Sequence, residues 1–299
     1  MQIFFLSPFK NRHVCTVIKK EKTMNYLSFL PGIICISAAL AIMFRLMHYA
    51  PFYAPSYFFW IGIILTLVGV ISLIRPMAFL FIFNRTIAGY VIGGGLLISL
   101  LALCSPIILH YSNTQQHLDS LLKSYTFNEY HEVTIGASPE KIKETLKTTG
   151  VKDIPVVLLL MKIRGIADEN KDMSDSATNN RPCTDTFTTP DFNFIVADSS
   201  ELITLMILKA SGKTPPPEIT TFDEFRAFNQ PGYVKVVVNF RFIPLGNNKT
   251  LLSTETRNLA TTPRDNRIFG RYWRIIYPGS AIIRRVWLND VAKKAEHQM

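Results

Sequence analysis

Between Asn25 and Leu109 the chain carries no Asp, Glu or Lys, and its only charged side chains are Arg45, Arg75 and Arg85. A stretch that long and that poor in charge is not the surface of a water-soluble enzyme. It fits hydrocarbon, where each unsatisfied backbone group costs several kcal/mol and a helix of about 20 apolar residues pairs them all internally. Three windows qualify, so three transmembrane helices are expected at about 26–46, 57–75 and 87–109. Residues 76–83 are apolar but too few to cross, and read as an interfacial turn or an extension of the second helix. Tyr49, Phe52, Tyr53, Tyr57 and Trp60 crowd the first loop, where amphipathic rings suit the headgroup level. Gly89 and Gly93 form a GxxxG pair in the third window, a spacing that lets helices approach closely.

The charge is unevenly divided. Eight of the 32 Lys/Arg but one of the 22 Asp/Glu lie in residues 1–111, so most of the net +10 belongs to the membrane-proximal part. That placement argues against a nucleic-acid partner, which needs a basic face on the folded domain. Lys10, Arg12, Lys19, Lys20 and Lys22 precede the first window, and Arg75 and Arg85 flank the second loop. By the positive-inside rule this predicts a cytoplasmic amino terminus and an extracytoplasmic polar half beyond residue 112, integral to a plasma membrane. If Met24 rather than Met1 starts the chain, the bias rests on Arg75 and Arg85 against Arg45. The first window is too long, and lacks the small-residue exit, of a cleaved signal peptide. Cys15, Cys35, Cys104 and Cys183 include no CxxC, and the single cysteine of the polar half leaves it no internal disulfide and no zinc knuckle.

A linker at 112–120 leads into a domain over 121–299, long enough for a sizeable core. A strand is expected at 125–135, with Glu129 and His131 on one face. Ser138-Pro139 then supplies an N-cap and a first-turn proline for a helix to about Thr148. A second short helix is expected at 154–164 and an exposed polar loop at 168–191. Strands resume at 192–198 and 201–210, and Thr221 with Glu224 has the spacing of a capping box. From Val234 to Phe242 apolar residues alternate strictly: Val234, Val236, Val238, Phe240 and Phe242 point one way, and Lys235, Val237, Asn239 and Arg241 the other. This predicts a half-buried antiparallel strand. Gly246-Asn247-Asn248 turns the chain back into a strand at 251–258, on which Glu255 faces Lys235 or Arg241 across a solvated pair. Thr262-Pro263 starts a last helix to about Lys294, bent at Tyr277-Pro278-Gly279. It bears an apolar stripe including Trp273 and a second stripe of Arg264, Arg267, Arg271 and Arg274, either a solvated face or a grip on an anionic lipid surface.

The order of these elements is that of the helix-grip fold. The segments VTIGASPEKIKETL (133–146), FRAFNQPGYVKVVVNFRF (225–242), LSTETR (252–257) and FGRYWRIIYPGSAIIRRVWL (269–288) resemble the START-like (SRPBCC) superfamily of ligand-binding and polyketide-cyclase-like domains, in a bacterial branch, over about 121–297. The resemblance implies an α+β fold, a curved antiparallel sheet gripping the terminal helix around a mostly apolar cavity. Its lining is expected to include Val236, Val238, Phe240 and Trp273, with Glu129, His131, Thr254 and Thr256 as polar contacts to a ligand.

The function expected is a membrane-anchored, non-catalytic protein for a lipid or another hydrophobic small molecule, with no metal or cofactor. A cyclase- or hydrolase-like enzyme in the same cavity is the alternative. No GxSxG, nucleotide loop or metal-spaced His/Cys set supports it, and Glu129 with His131 is its one candidate acid–base pair. A structural or sensory membrane protein with a protein partner is the third reading, for which the chain offers no partner motif.

Overall fold

The computed structural model describes residues 30–49, 53–112, 117–149, 193–198, 200–217 and 219–297. The basic amino-terminal tail, the start of the first apolar window, the helix expected at 154–164, the loop at 168–191, Cys15 and Cys183 lie outside the described residues. Helices α1 (Leu30–Tyr49), α2 (Ala54–Ile74) and α3 (Arg85–Leu103) come first, with a 3-10 turn at Ala78–Leu80 between the last two. They are followed by β1 (His110–Tyr111), α4 (His117–Leu121), β2 (Ser124–Tyr125), β3 (Phe127–Ile135), α5 (Pro139–Thr148), β4 (Asn193–Asp198), β5 (Glu201–Lys209), α6 (Phe222–Ala227), β6 (Tyr233–Gly246), β7 (Lys249–Ala260) and α7 (Pro263–His297).

Two helices, α2 and α3, are long and apolar enough to cross a membrane, where three were expected; the described apolar stretch of α1, Leu30–Arg45, is shorter. The outer faces of α2 and α3 expose Ile64, Leu67, Ile71, Leu97 and Leu101. Their mutual face is built of small residues. A Cβ on Gly62 would lie 2.5 Å from the Gly95 carbonyl oxygen, and one on Gly95 2.6 Å from that of Gly62. Ser99 Oγ donates to the Phe59 carbonyl at 3.1 Å, closing the contact with a hydrogen bond. A Cβ on Gly89 or Gly93, the GxxxG pair of the sequence, would meet nothing within 4 Å among the described residues. Their spacing is right for close packing, but the helix turns the heptad-spaced Ala88, Gly95 and Ala102 toward its neighbour instead.

The domain is α+β. Its curved antiparallel sheet has the order β3-β7-β6-β5-β4, and α7 packs along its concave face. Local signals act as read: Ser138 Oγ caps α5, Thr221 and Glu224 form the capping box of α6, and Asn247 and Asn248 both take positive φ in the two-residue β6–β7 turn. Gly232, at φ +101°, meets Gly212 so closely that a Cβ there would lie 2.6 Å from the Gly212 Cα. Helix α7 runs uninterrupted through Pro278.

The inward side of β6 joins the main core, with Val234, Val236, Val238, Phe240 and Phe242 packed against Trp273, Trp287 and Val291 of α7. Met206 and Leu208 of β5 contribute from the neighbouring strand. The other side of β6 is also covered, against the half-buried reading. Leu118, Leu121 and Leu122 from the segment that follows α3, with Phe225 of α6, bury Ile203, Leu205, Ile207 and Val237 in a second apolar layer.

This covering changes the expected partner of Glu255. In the sheet register Glu255 lies opposite Asn239, whereas Lys235 faces Leu259 and Arg241 faces Ser253. Glu255 instead accepts from Arg257 Nε at 2.7 Å, and Arg257 is almost fully buried. Arg257 Nη1 also donates to Asp119 Oδ1 at 2.6 Å and to the Leu122 carbonyl at 3.3 Å, and Nη2 to Ser112 Oγ at 3.0 Å. Its guanidinium lies 5.0 Å from the Tyr125 ring centroid. Burial pulls its affinity for the proton down, but the carboxylates of Glu255 and Asp119 outweigh that and raise it. One side chain thus ties the polypeptide leaving α3 to the central strands.

The arginine stripe of α7 also divides. Arg274 is buried, donating from Nη2 to the Ser105 carbonyl at 2.8 Å and from Nη1 to that of Leu103 at 3.3 Å, at the negative end of the α3 dipole. Trp60 Nε1 of α2 donates to the Ile275 carbonyl at 3.0 Å, and the Tyr53 and Tyr277 rings lie 5.1 Å apart. Arg264, Arg267 and Arg271 remain exposed.

Candidate functional site

Strand β3 alternates between buried and exposed positions. Phe127, Glu129, His131 and Ile135 face the interior, and Asn128, Tyr130, Glu132 and Thr134 face outward. The period of two therefore carries a carboxylate and an imidazole onto one inner face. His131 Nε2 lies 2.9 Å from Glu129 Oε1, and both side chains are out of water.

A carboxylate so buried is sustained only where other groups replace its lost hydration. Helix α7, lying across β3, supplies them. Ser280 Oγ donates to Glu129 Oε2 at 2.8 Å, and Arg284 Nε lies 3.6 Å from Oε1. Arg284 Nη1 reaches on to Thr254 Oγ1 of β7 at 2.9 Å. Tyr277 stands one turn before Ser280, and burial raises its phenol far above the ordinary range. The negative charge of Glu129 and the neighbouring Tyr57 and Tyr53 hydroxyls push it the same way.

Strand β7 lies between β3 and β6. Its register sets Thr254 opposite His131 on one side and Phe240 on the other, and Thr256 opposite Glu129 and Val238. The hydroxyl of Thr256 is buried and makes no hydrogen bond among the described residues. The polar cluster gives way to an apolar wall on β6 and α7. There Phe240 meets Trp287 edge-on at 5.2 Å between centroids, and Trp273 stacks on Phe269 at 5.8 Å.

Each residue expected at the site is buried: Glu129, His131, Val236, Val238, Phe240, Thr254, Thr256 and Trp273. Glu129, His131, Thr254 and Thr256 are brought together by the β3–β7 pairing. Trp273 sits farther along α7, joined to them through Tyr277, whose ring lies 5.8 Å away. Ser280, Arg284 and Tyr277 are the residues that sequence reasoning missed. Their signal was present: Trp273, Tyr277, Ser280, Arg284 and Leu288 recur at helical spacing, so the polar members share a face with the apolar stripe.

Chemically, the cluster presents a carboxylate-oriented imidazole, a guanidinium and an unsatisfied hydroxyl beside an aromatic and aliphatic wall. Among the described residues, no group of three or more His, Cys, Asp or Glu side chains is placed to hold a metal ion.

No family model matches the chain, and no curated protein matches it. Among solved structures it is similar to the Zhui aromatase/cyclase from Streptomyces sp. R1128, at 13% identity over 57% of this chain and 94% of that one, with a TM-score of 0.23. It is also similar to norcoclaurine synthase from Thalictrum flavum, at 12% identity over 61% and 96% of the two chains, with a TM-score of 0.19. Scores this low carry no weight for fold or function, and the α+β architecture stands on the chain's own strand order and registers.

Proposed function

We propose that this chain is a membrane-anchored, non-catalytic binding protein that takes a lipid or another hydrophobic small molecule between the sheet and α7. The observation that carries the reading is the Thr256 hydroxyl, buried without a hydrogen-bond partner beside Glu129 and against the Val238 wall. An unsatisfied buried hydroxyl costs about 1–3 kcal/mol, which a polar atom of a bound molecule offsets. The wall of Val236, Val238, Phe240 and Trp273 suits an apolar body, while Glu129, His131 and Thr254 orient its polar end. The helix-grip resemblance points to the same interior. The apolar outer faces of α2 and α3 support the anchor, and Arg75 and Arg85 support an extracytoplasmic domain on a bacterial plasma membrane.

The test is purification of the full chain in mild detergent, organic extraction, and mass spectrometry of what is released. A defined apolar molecule near one per chain, depleted in Thr256→Val, is expected. Val removes the hydroxyl at similar volume, so a folded variant that still retains the molecule removes Thr256 from the site. Folded wild-type preparations that are repeatedly empty would overturn the binding reading.

The 2.9 Å contact between His131 and Glu129 favours a second reading, acid–base chemistry on a cyclase- or hydrolase-type substrate. Any activity found should then collapse in His131→Ala, and an unchanged rate removes it.

A further inference from the structure

The arginine stripe of α7 has an unexplained remainder once Arg274 is accounted for. Arg267 and Arg271 are exposed, and neither makes an ion pair or side-chain hydrogen bond among the described residues. Arg264 differs, because its charge acts on Asp265. Asp265 is the only acidic residue between Pro263 and Leu288. It is buried and satisfied by Ser211, Thr262 and the Gly232 amide, so it does not neutralise the two free cations.

Their position along α7 is specific. Arg271 lies one turn before Ile275, whose carbonyl accepts from Trp60 on the second turn of α2, and Arg267 lies one turn earlier. On the same helix, Arg274 grips the carbonyls at the carboxy-terminal end of α3. This part of α7 therefore lies at the ends of α2 and α3, one to two helical turns from where their apolar spans begin and end. The exposed side chains around it are those of a bilayer interface: Tyr272 and Ile275 on α7, Trp60 on α2, and Ile108, Leu109 and Tyr111 on the segment leaving α3. Aromatic and aliphatic groups at this depth sit among acyl chains and glycerol, and cations on the same helix reach the phosphates above them.

We infer that Arg267 and Arg271, with Tyr272 beside them, form a binding site for the headgroup of an anionic phospholipid at the foot of the domain. The site is distinct from the interior cluster around Glu129, and it rests on the membrane reading proposed above. Arginine suits the role because its planar guanidinium donates to two phosphate oxygens at once. The occupant is a membrane lipid rather than free phosphate, because the exposed apolar groups around the arginines need acyl chains to cover them.

The test uses the full chain reconstituted in nanodiscs or detergent, titrated with phosphatidylglycerol or phosphatidylcholine and followed by native mass spectrometry. The wild type is expected to retain phosphatidylglycerol preferentially. Each arginine near an anionic surface contributes roughly fivefold in affinity, so Arg267→Gln/Arg271→Gln should weaken phosphatidylglycerol binding by about 30-fold and leave phosphatidylcholine unchanged. Inorganic phosphate should not compete. Both positions are exposed, so the variant keeps the wild-type fold, checked by circular dichroism. A chain that stays in the membrane pellet through alkaline carbonate but shows no phosphatidylglycerol preference, or one untouched by the double substitution, overturns the headgroup site alone. Competition by inorganic phosphate overturns the lipid assignment. Release of the wild type by carbonate overturns the membrane reading, and the headgroup site with it.

Discussion

Replacing Arg257 with Met tests whether a single buried cation holds the segment that follows α3 to the sheet. Arg257 donates five hydrogen bonds to Asp119, Glu255, Ser112 and the Leu122 carbonyl, all between 2.6 and 3.3 Å. Met fills similar space but leaves the Asp119 and Glu255 carboxylates facing one another with little water, their side chains being 13% and 11% exposed. Breaking a buried pair from one side costs about 3–5 kcal/mol, because the remaining charge is uncompensated. A domain of this size shifts its melting temperature by roughly 2–4 °C per kcal/mol, so a loss of about 6–20 °C is expected. Unfolding in detergent, followed through the fluorescence of Trp60, Trp273 and Trp287, measures it.

The triple variant Asp119→Asn/Glu255→Gln/Arg257→Met removes both orphaned charges and should recover part of the loss, since a buried neutral amide costs far less than a buried uncompensated charge. A single Met variant within about 1 kcal/mol of wild type would refute the reasoning. So would a triple variant no better than the single one, which would assign the loss to packing rather than to charge.

Two more expectations follow from the geometry. Gly95→Ala should separate α2 from α3 and lower thermal stability in detergent by about 1–3 kcal/mol, because its methyl would lie 2.6 Å from the Gly62 carbonyl; Gly93→Ala, in open space, should be neutral or slightly stabilising. Asp265 accepts from Ser211 Oγ at 2.5 Å and the Gly232 amide at 2.8 Å, and despite the opposing effect of burial these bonds, with that of Thr262, hold its carboxyl below the ordinary range. Because the folded-state value is the lower one, this stabilisation is present above the unfolded value of about 3.9 and is lost as pH falls through the folded value. Asp265→Asn should lower stability at neutral pH and flatten that acid limb, and an unchanged profile in acid unfolding experiments would refute the assignment.

Caps and turns at Ser138, Thr221 and Asn247-Asn248 were legible because each is decided by two to four adjacent residues. The apolar face of β6 was legible because a strand's period is two whatever lies opposite. The covering of its other face was not, since it depends on where Leu118 and Phe225, far from it in sequence, come to rest. Half of the site was visible for a similar reason. Glu129 and His131 share a strand, whereas Ser280 and Arg284 reach them only across the sheet–helix contact.

By itself, then, the sequence determined the charge-poor apolar stretches, the alternation that makes β6 a core strand, and the long amphipathic α7, all properties of local period and composition. Only the tertiary structure decided that Arg257 and Arg274 are buried and hydrogen-bonded while Arg267 and Arg271 are exposed, that Gly95 rather than Gly93 meets the neighbouring helix, and that Glu255 pairs along its own strand. The physical reason is common to all three. A charge or a glycine acquires its role from what packs against it, and those neighbours are set by strand register and helix rotation, which no local pattern encodes.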